Sequence, residues 1–196
     1  MQQLRKKRLR SMILLVFIFA SLRMSALGAG GSPREFMVSV VANAFRSDSR
    51  EYRQLYGQAV LMPQLKLTCL VYGNFSIWAG FGMVSRQGYI GEVGETAQID
   101  QTLLSLGAGY VQKLSGKLRL RGELGLVRIS FKEKALEVVQ RGSGVGPKLE
   151  VDLEYFVSKR VLVTLAAAYC RARDEMDIGK VELGGAQAGA GVGLVF

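Results

Sequence analysis

The sequence predicts an all-β fold: an eight-stranded antiparallel up-and-down transmembrane β-barrel. Three observations carry this reading. Beyond residue 35 polar and apolar residues alternate with period two, the connections alternate between short and long, and after residue 28 no apolar run approaches the roughly 20 residues of a membrane-spanning helix.

The opening 28 residues stand apart. Arg5, Lys6, Lys7, Arg8 and Arg10 precede an apolar run from Met12 to Leu22, and Ala26 and Gly28 follow as small residues. This is the layout of a secretory signal peptide, with cleavage expected before Ala29, and residues 29–196 are then one barrel domain. Eleven apolar residues are too few to cross about 30 Å of hydrocarbon as a helix. The net charge of +10 is concentrated here, because six of the 26 Lys and Arg residues and none of the 16 acids fall in this segment.

Strands are expected at 36–45, 59–71, 75–85, 98–113, 118–131, 146–157, 161–173 and 183–196. The fifth and sixth show the pattern best. Leu118, Leu120, Leu124 and Leu126 share one face while Lys117, Arg119, Arg121 and Glu123 share the other. Leu149, Val151, Leu153, Tyr155 and Val157 likewise oppose Glu150, Asp152 and Glu154. Tight turns are expected at Tyr72-Gly73-Asn74, at 114–117 and at 158–160, and longer polar loops at 46–57, 86–97, 132–145 and 174–182. Gly142 to Gly146 read as a flexible loop tip. All short turns fall at one end, and pairing of the first strand with the last removes the two open edges. Cys69 and Cys170 fall on opposite faces of different strands, which favours free thiols.

The choice of inward face separates a membrane barrel from a soluble one. The face opposite the aliphatics is rich in Gly80, Gly82, Ser105, Gly107, Gly109, Gly189, Gly191 and Gly193, small residues that suit a narrow lumen shared with Lys66, Tyr72, Trp78 and several arginines. A charge network of Arg119, Arg121, Glu123, Glu150, Asp152 and Glu154 is expected there, with Arg119 near Glu154 and Arg121 near Asp152. Phe36, Phe75, Tyr110, Tyr155, Tyr169 and Phe196 lie near strand ends on the aliphatic face, as interfacial girdles would.

With Val192, Leu194 and Phe196 closing the last strand, the chain resembles the small eight-stranded outer-membrane barrels of Gram-negative bacteria, the class that includes the transmembrane domain of outer membrane protein A and the outer membrane protein X group. The resemblance covers residues 36–196 in architecture. It implies an outer-membrane location, with short turns in the periplasm. It also implies that Val192, Leu194 and Phe196 are the signal read by the barrel-assembly machinery, and that outer-membrane lipid and lipopolysaccharide are candidate partners. Arg46, Arg50, Arg53 and Arg86 in the outward loops have the charge to meet lipopolysaccharide phosphates, although plain solvation accounts for them and is preferred.

Catalysis is not expected. With no His in the chain, a Ser-His-Asp triad and a His-liganded metal are excluded, as are the His-dependent lipid A deacylases and palmitoyl transferases of similar barrels. No cofactor site is legible, because Gly-Ser-Gly-Val-Gly-Pro at 142–147 lacks the Lys-Ser/Thr of a phosphate-binding loop. Cations split among signal peptide, lumen and loops, with no aromatic platform, argue against nucleic acid. The expected function is a non-enzymatic structural or surface-interaction role through the long loops. The rivals are a soluble lipocalin-like barrel with a hydrophobic ligand and a narrow pore.

Overall fold

A computed structural model describes residues 35–90, 95–135, 138–176 and 179–196, and the side chains of these except 174–181. The expected signal peptide, 1–28, lies outside the described residues. The elements are β1 (Phe36–Ser47), α1 (Arg50–Tyr56), β2 (Val60–Tyr72), β3 (Phe75–Ile90), β4 (Glu95–Lys113), β5 (Leu118–Ala135), β6 (Val138–Phe156), β7 (Val161–Cys170), β8 (Arg173–Met176), β9 (Gly179–Glu182) and β10 (Gly185–Val195). Segments β8 and β9 prolong β7 and β10 as one hairpin, so the wall is a closed eight-stranded antiparallel up-and-down barrel.

Each strand pairs with its sequence neighbour, and β1 closes the wall on β10 from Met37 opposite Val195 to Ser47 opposite Gly185. Closure extends to the last residue: Phe36 N–H donates to the Phe196 carbonyl at 3.3 Å and receives the reciprocal bond at 2.8 Å. The tight turns fall where expected, and both cysteines are free, Cys170 buried and Cys69 half-buried.

The long connections differ from expectation. Three of the four are largely strand: β3 runs to Ile90, β5 to Ala135, and β6 starts at Val138. Gly142 to Gly146 are therefore not a loop tip but part of β6, paired with Phe131 to Val127 of β5. The cross-strand ladder pairs backbone groups that a loop would have left to water. The fourth connection, 46–57, holds α1, capped by the Ser49 hydroxyl accepting from the Tyr52 N–H at 3.1 Å.

Outward aliphatics form a belt over the short-turn half. On β5 it runs from Leu118 to Leu126, about 26 Å of strand. At a tilt near 40° that is about 20 Å of depth, close to the roughly 25 Å band of membrane barrels. Leu124 on this belt is 64% exposed, so the soluble-barrel rival, which needs that face shielded, does not hold for this half. Phe36, Phe75, Tyr110, Tyr155 and Phe196 gather at the short-turn end, with Phe75 packed on Tyr110 at 5.4 Å, whereas Tyr169 marks the other end. Tyr72, expected in the lumen, lies in that turn region and is exposed.

Beyond the belt the polarity of the wall reverses. On β5 the outward residues become Arg128, Ser130, Lys132 and Lys134 while the inward ones become Val127, Ile129 and Phe131. Adjacent residues mark the crossing: Leu126 is 55% exposed and Val127 1%. Leu104 and Leu103 of β4 and Met83 and Val84 of β3 repeat it. The interior is thus charged in the membrane half and apolar in the long-loop half, not polar throughout, because strands projecting into water bury apolar groups as a soluble barrel does.

Midway along the β4–β5 ladder Gly107 faces Gly125. A side chain on Gly107 would run into the Leu124 carbonyl, and one on Gly125 into the Leu106 carbonyl. Gly107→Val is expected to destabilise the barrel by about 1–3 kcal/mol. Gly122→Ala, with open space around it, should stay within about 0.5 kcal/mol. Urea titration in detergent micelles, followed by fluorescence of Trp78, the single tryptophan, measures both.

Candidate functional site

The inward positions of β5 and β6 bring together all six residues of the expected charge network. Arg119 stands opposite Glu154, Arg121 opposite Asp152, and Glu123 opposite Glu150. That register agrees with the expected pairing, but the ion pairs follow different lines. Arg121 Nη2 reaches Glu154 at 2.6 Å, one position along, and Arg121 Nη1 lies 3.7 Å from Glu123. Arg119 is at the short-turn rim, where its guanidinium grips both oxygens of Glu35 and lies 4.2 Å from the Phe156 ring.

The centre of the network is Lys66, projecting across the lumen from β2. Its ammonium lies 2.5 Å from Glu123 and 2.8 Å from Glu150, and also pairs with Asp152. Lys148 adds a second cation to Glu150 at 2.5 Å. Trp78 lies beside both cations, its ring 5.5 Å from the Lys66 ammonium and 5.2 Å from that of Lys148. The carboxylates of Glu123, Glu150 and Asp152 come within 4.8 Å of one another, a spacing that would suit a metal ion. Here the Lys66 ammonium takes that position, so the cluster is neutralised by the chain itself. Lys148 was missed as a site residue, although its even-numbered position puts it on the face of Glu150, Asp152 and Glu154.

Above this layer the lumen is filled by apolar residues, among them Phe45, Met62, Val84, Ile99, Ile129 and Phe131. Helix α1 closes the top. Its Tyr52 and Tyr56 are buried, with ring centroids 5.1 Å apart, and Tyr52 packs edge-on against Phe45. The Tyr52 hydroxyl donates to Gln101 at 3.3 Å and the Tyr56 hydroxyl to Glu133 at 2.5 Å. Arg53 donates to the Ser47 and Asp48 carbonyls at 2.6 and 2.8 Å, which ties the helix to the end of β1. Gly88 of β3 permits the close approach, since a Cβ there would meet the Leu55 carbonyl.

Of the four arginines considered for outward anion contact, Arg53 is thus engaged with the backbone. Arg86 lies on the inward parity of β3 but is exposed, as are Arg46 and Arg50. On β10, Val192, Leu194 and Phe196 lie on the outward aliphatic face and are more than half exposed.

No protein-family model matches the sequence, and no curated protein matches it. Solved structures do. The N-terminal β-barrel domain of Pseudomonas aeruginosa OprF is 13% identical with a TM-score of 0.58, covering 83% of this chain and 97% of that one. Neisserial surface protein A is 13% identical with a TM-score of 0.59, covering 86% and 100%. Ail, the attachment invasion locus protein of Yersinia pestis, in complex with the heparin analogue sucrose octasulfate, is 15% identical with a TM-score of 0.53, covering 83% and 97%. These likenesses show the fold, that of the small outer-membrane β-barrels. The apolar belt and charged interior carry the same conclusion for the surface: the chain is a transmembrane barrel with an outer-membrane location.

Removing Lys66 leaves three carboxylates facing one another in a closed lumen. Lys66→Met is expected to cost about 3–5 kcal/mol, whereas Arg119→Met, at the partly exposed rim, should cost about 1 kcal/mol. Denaturant titration of the two variants in the same micelles gives the comparison.

Burial pushes the Tyr52 hydroxyl up from its ordinary value of 10.0 to about 12 and raises that of Tyr56 further, helped by its bond to Glu133. A raised phenol favours the folded helix below pH about 10 and loses that contribution as pH climbs toward 12. Trypsin cleavage after Arg50 and Arg53 should therefore rise steeply across that window. A Tyr52→Phe/Tyr56→Phe double variant should lose the dependence.

Proposed function

We propose that this chain is a non-enzymatic outer-membrane barrel that acts at its long-loop end, with a lumen closed along its whole length. The observation that carries the reading is the filling of the interior: a charge network in the membrane half, an apolar plug above it, and α1 across the top. Eight strands leave room for side chains and little else, and Arg121, Lys66, Lys148, Met62 and Phe45 are almost fully buried in that space. A pore reading would need a continuous aqueous path through these groups.

The absence of His removes the usual general base, and the buried acids face cations rather than a cleft, which supports a role without catalysis. Surface interaction is supported by the projection of β3 to β6 beyond the belt, and by the kind of proteins that share the fold, one an attachment protein seen with a sulfated sugar and one a surface protein. In this reading the partners are outer-membrane lipid and lipopolysaccharide, and during biogenesis the barrel-assembly machinery, which would read Val192, Leu194 and Phe196 on the lipid face of β10.

The expected results are these. The protein fractionates with outer membranes, migrates differently on gels before and after heating, and gives no steady conductance in planar bilayers. Phe196→Ser lowers the folded, heat-modifiable fraction several-fold in cells while leaving refolding in detergent largely intact. Release of the chain as a soluble protein, or ohmic conductance, would refute the reading.

A further inference from the structure

The water-facing half of the wall carries a concentrated positive strip on its outer surface. Outward residues just past the belt are Arg128 on β5 and, after Tyr169, Arg171 beyond β7. In register with Arg128 across β6 stands Arg173 of β8, and in the rows above stand Lys132 and Lys134 of β5 and Arg141 of β6, all exposed. The register aligns them across strands. Lys132 lies directly opposite Arg141, while Arg128 and Arg173 flank the same residue of β6, Val145.

Like charges directly opposite one another destabilise a sheet, so this placement has a cost that a bound anion would remove. Among the described residues, Arg128, Lys132, Lys134 and Arg141 form no ion pair. Asp100 stands across from Lys132 but forms none with it, and Glu182 sits loosely between Arg171 and Arg173 at 3.8 and 3.7 Å. Among the described side chains, six cations therefore face outward against two carboxylates, on the side of the barrel where the adjoining lipid headgroups lie.

We propose that this strip on β5, β6 and the β7–β8 edge binds the headgroup phosphates of lipopolysaccharide in the leaflet at the long-loop end. Height and chemistry both select that occupant. Arg128 and Arg171 sit one outward step above the last belt residues, Leu126 and Tyr169, which is headgroup depth, and guanidinium groups on the strands either side of β6 suit phosphate oxygens. A phosphate between Arg128 and Arg173 would relieve the row across Val145, and one between Lys132 and Arg141 would relieve the row above. This rests on the outer-membrane reading and assigns it a lipid and a face.

The test uses the full processed chain refolded in zwitterionic micelles, with fluorescent lipid A bearing two phosphates as the probe. Folding is checked first by the heat-dependent gel shift. The variant R128Q/K132Q/R141Q/R173Q is expected to fold and to bind the probe roughly tenfold or more weakly, with a flatter salt dependence. K159Q/R160Q, at the short-turn end, should bind as the parent does. Dephosphorylated lipid A should bind the parent about as weakly as the phosphorylated probe binds the quadruple variant. Equal affinity of the parent for both lipids, or an unchanged affinity in the folded quadruple variant, would overturn the proposal while leaving the barrel reading intact. Failure of the parent to insert into bilayers would instead count against that reading.

Discussion

Every other feature of this molecule depends on the closure of β1 onto β10. In hydrocarbon no water is available to pair a free backbone N–H, so the wall must be a ring without edges. A ring of eight strands has a narrow interior. That narrowness is why glycines line β10 toward the lumen, where a side chain on Gly189 would meet Asn43, and why the β4–β5 ladder places one glycine against another. The charges follow from the same limit. Seven buried ionic side chains, Lys66, Arg121, Glu123, Lys148, Glu150, Asp152 and Glu154, share a space too small for free solvent, so each must find its counter-charge within the lumen rather than in water.

The reversal of polarity along the barrel axis divides the chain into a membrane protein below and a water-soluble one above. Below, burial of charge costs free energy and is offset by pairing around Lys66. Above, apolar side chains from six or more strands pack on each other and on α1, and the hydrophobic effect has its ordinary sign. The two halves share strands, so neither can shift register without displacing the other. Along β5 the alternation keeps its period from Leu120 to Lys134; only the chemistry assigned to each face changes.

Much of this was legible. Period-two patterning located the strands and the tight turns, and strand parity assigned Arg121, Glu123, Glu150, Asp152 and Glu154 to one interior. What parity does not provide is which side chain crosses the lumen: Lys66 is far from β6 in sequence, and its contact with Glu150 depends on curvature of the whole wall. The apolar half was missed for a different reason. Its residues, such as Ala97 and Phe131, fall in expected polar connections or on a face taken as uniform. The signal was there in neighbouring apolar pairs, Met83-Val84, Leu103-Leu104 and Leu126-Val127, where two apolar residues in succession mark one leaving the lipid face and the next entering a core. Tyr72 was misplaced because parity fails at a turn, where the register shifts between Leu70 and Tyr72.

The basic outer strip also sets a kinetic constraint. For the long-loop end to reach the far side of a membrane, Arg128, Lys132, Arg141 and their neighbours must pass through hydrocarbon before any wall is complete, at a cost of a few kcal/mol for each exposed cation at mid-bilayer. The short-turn end, with Lys113, Lys117, Lys159 and Arg160, never makes that passage. The barrier to that passage is therefore set by the charge of the end that crosses rather than by the stability of the finished ring.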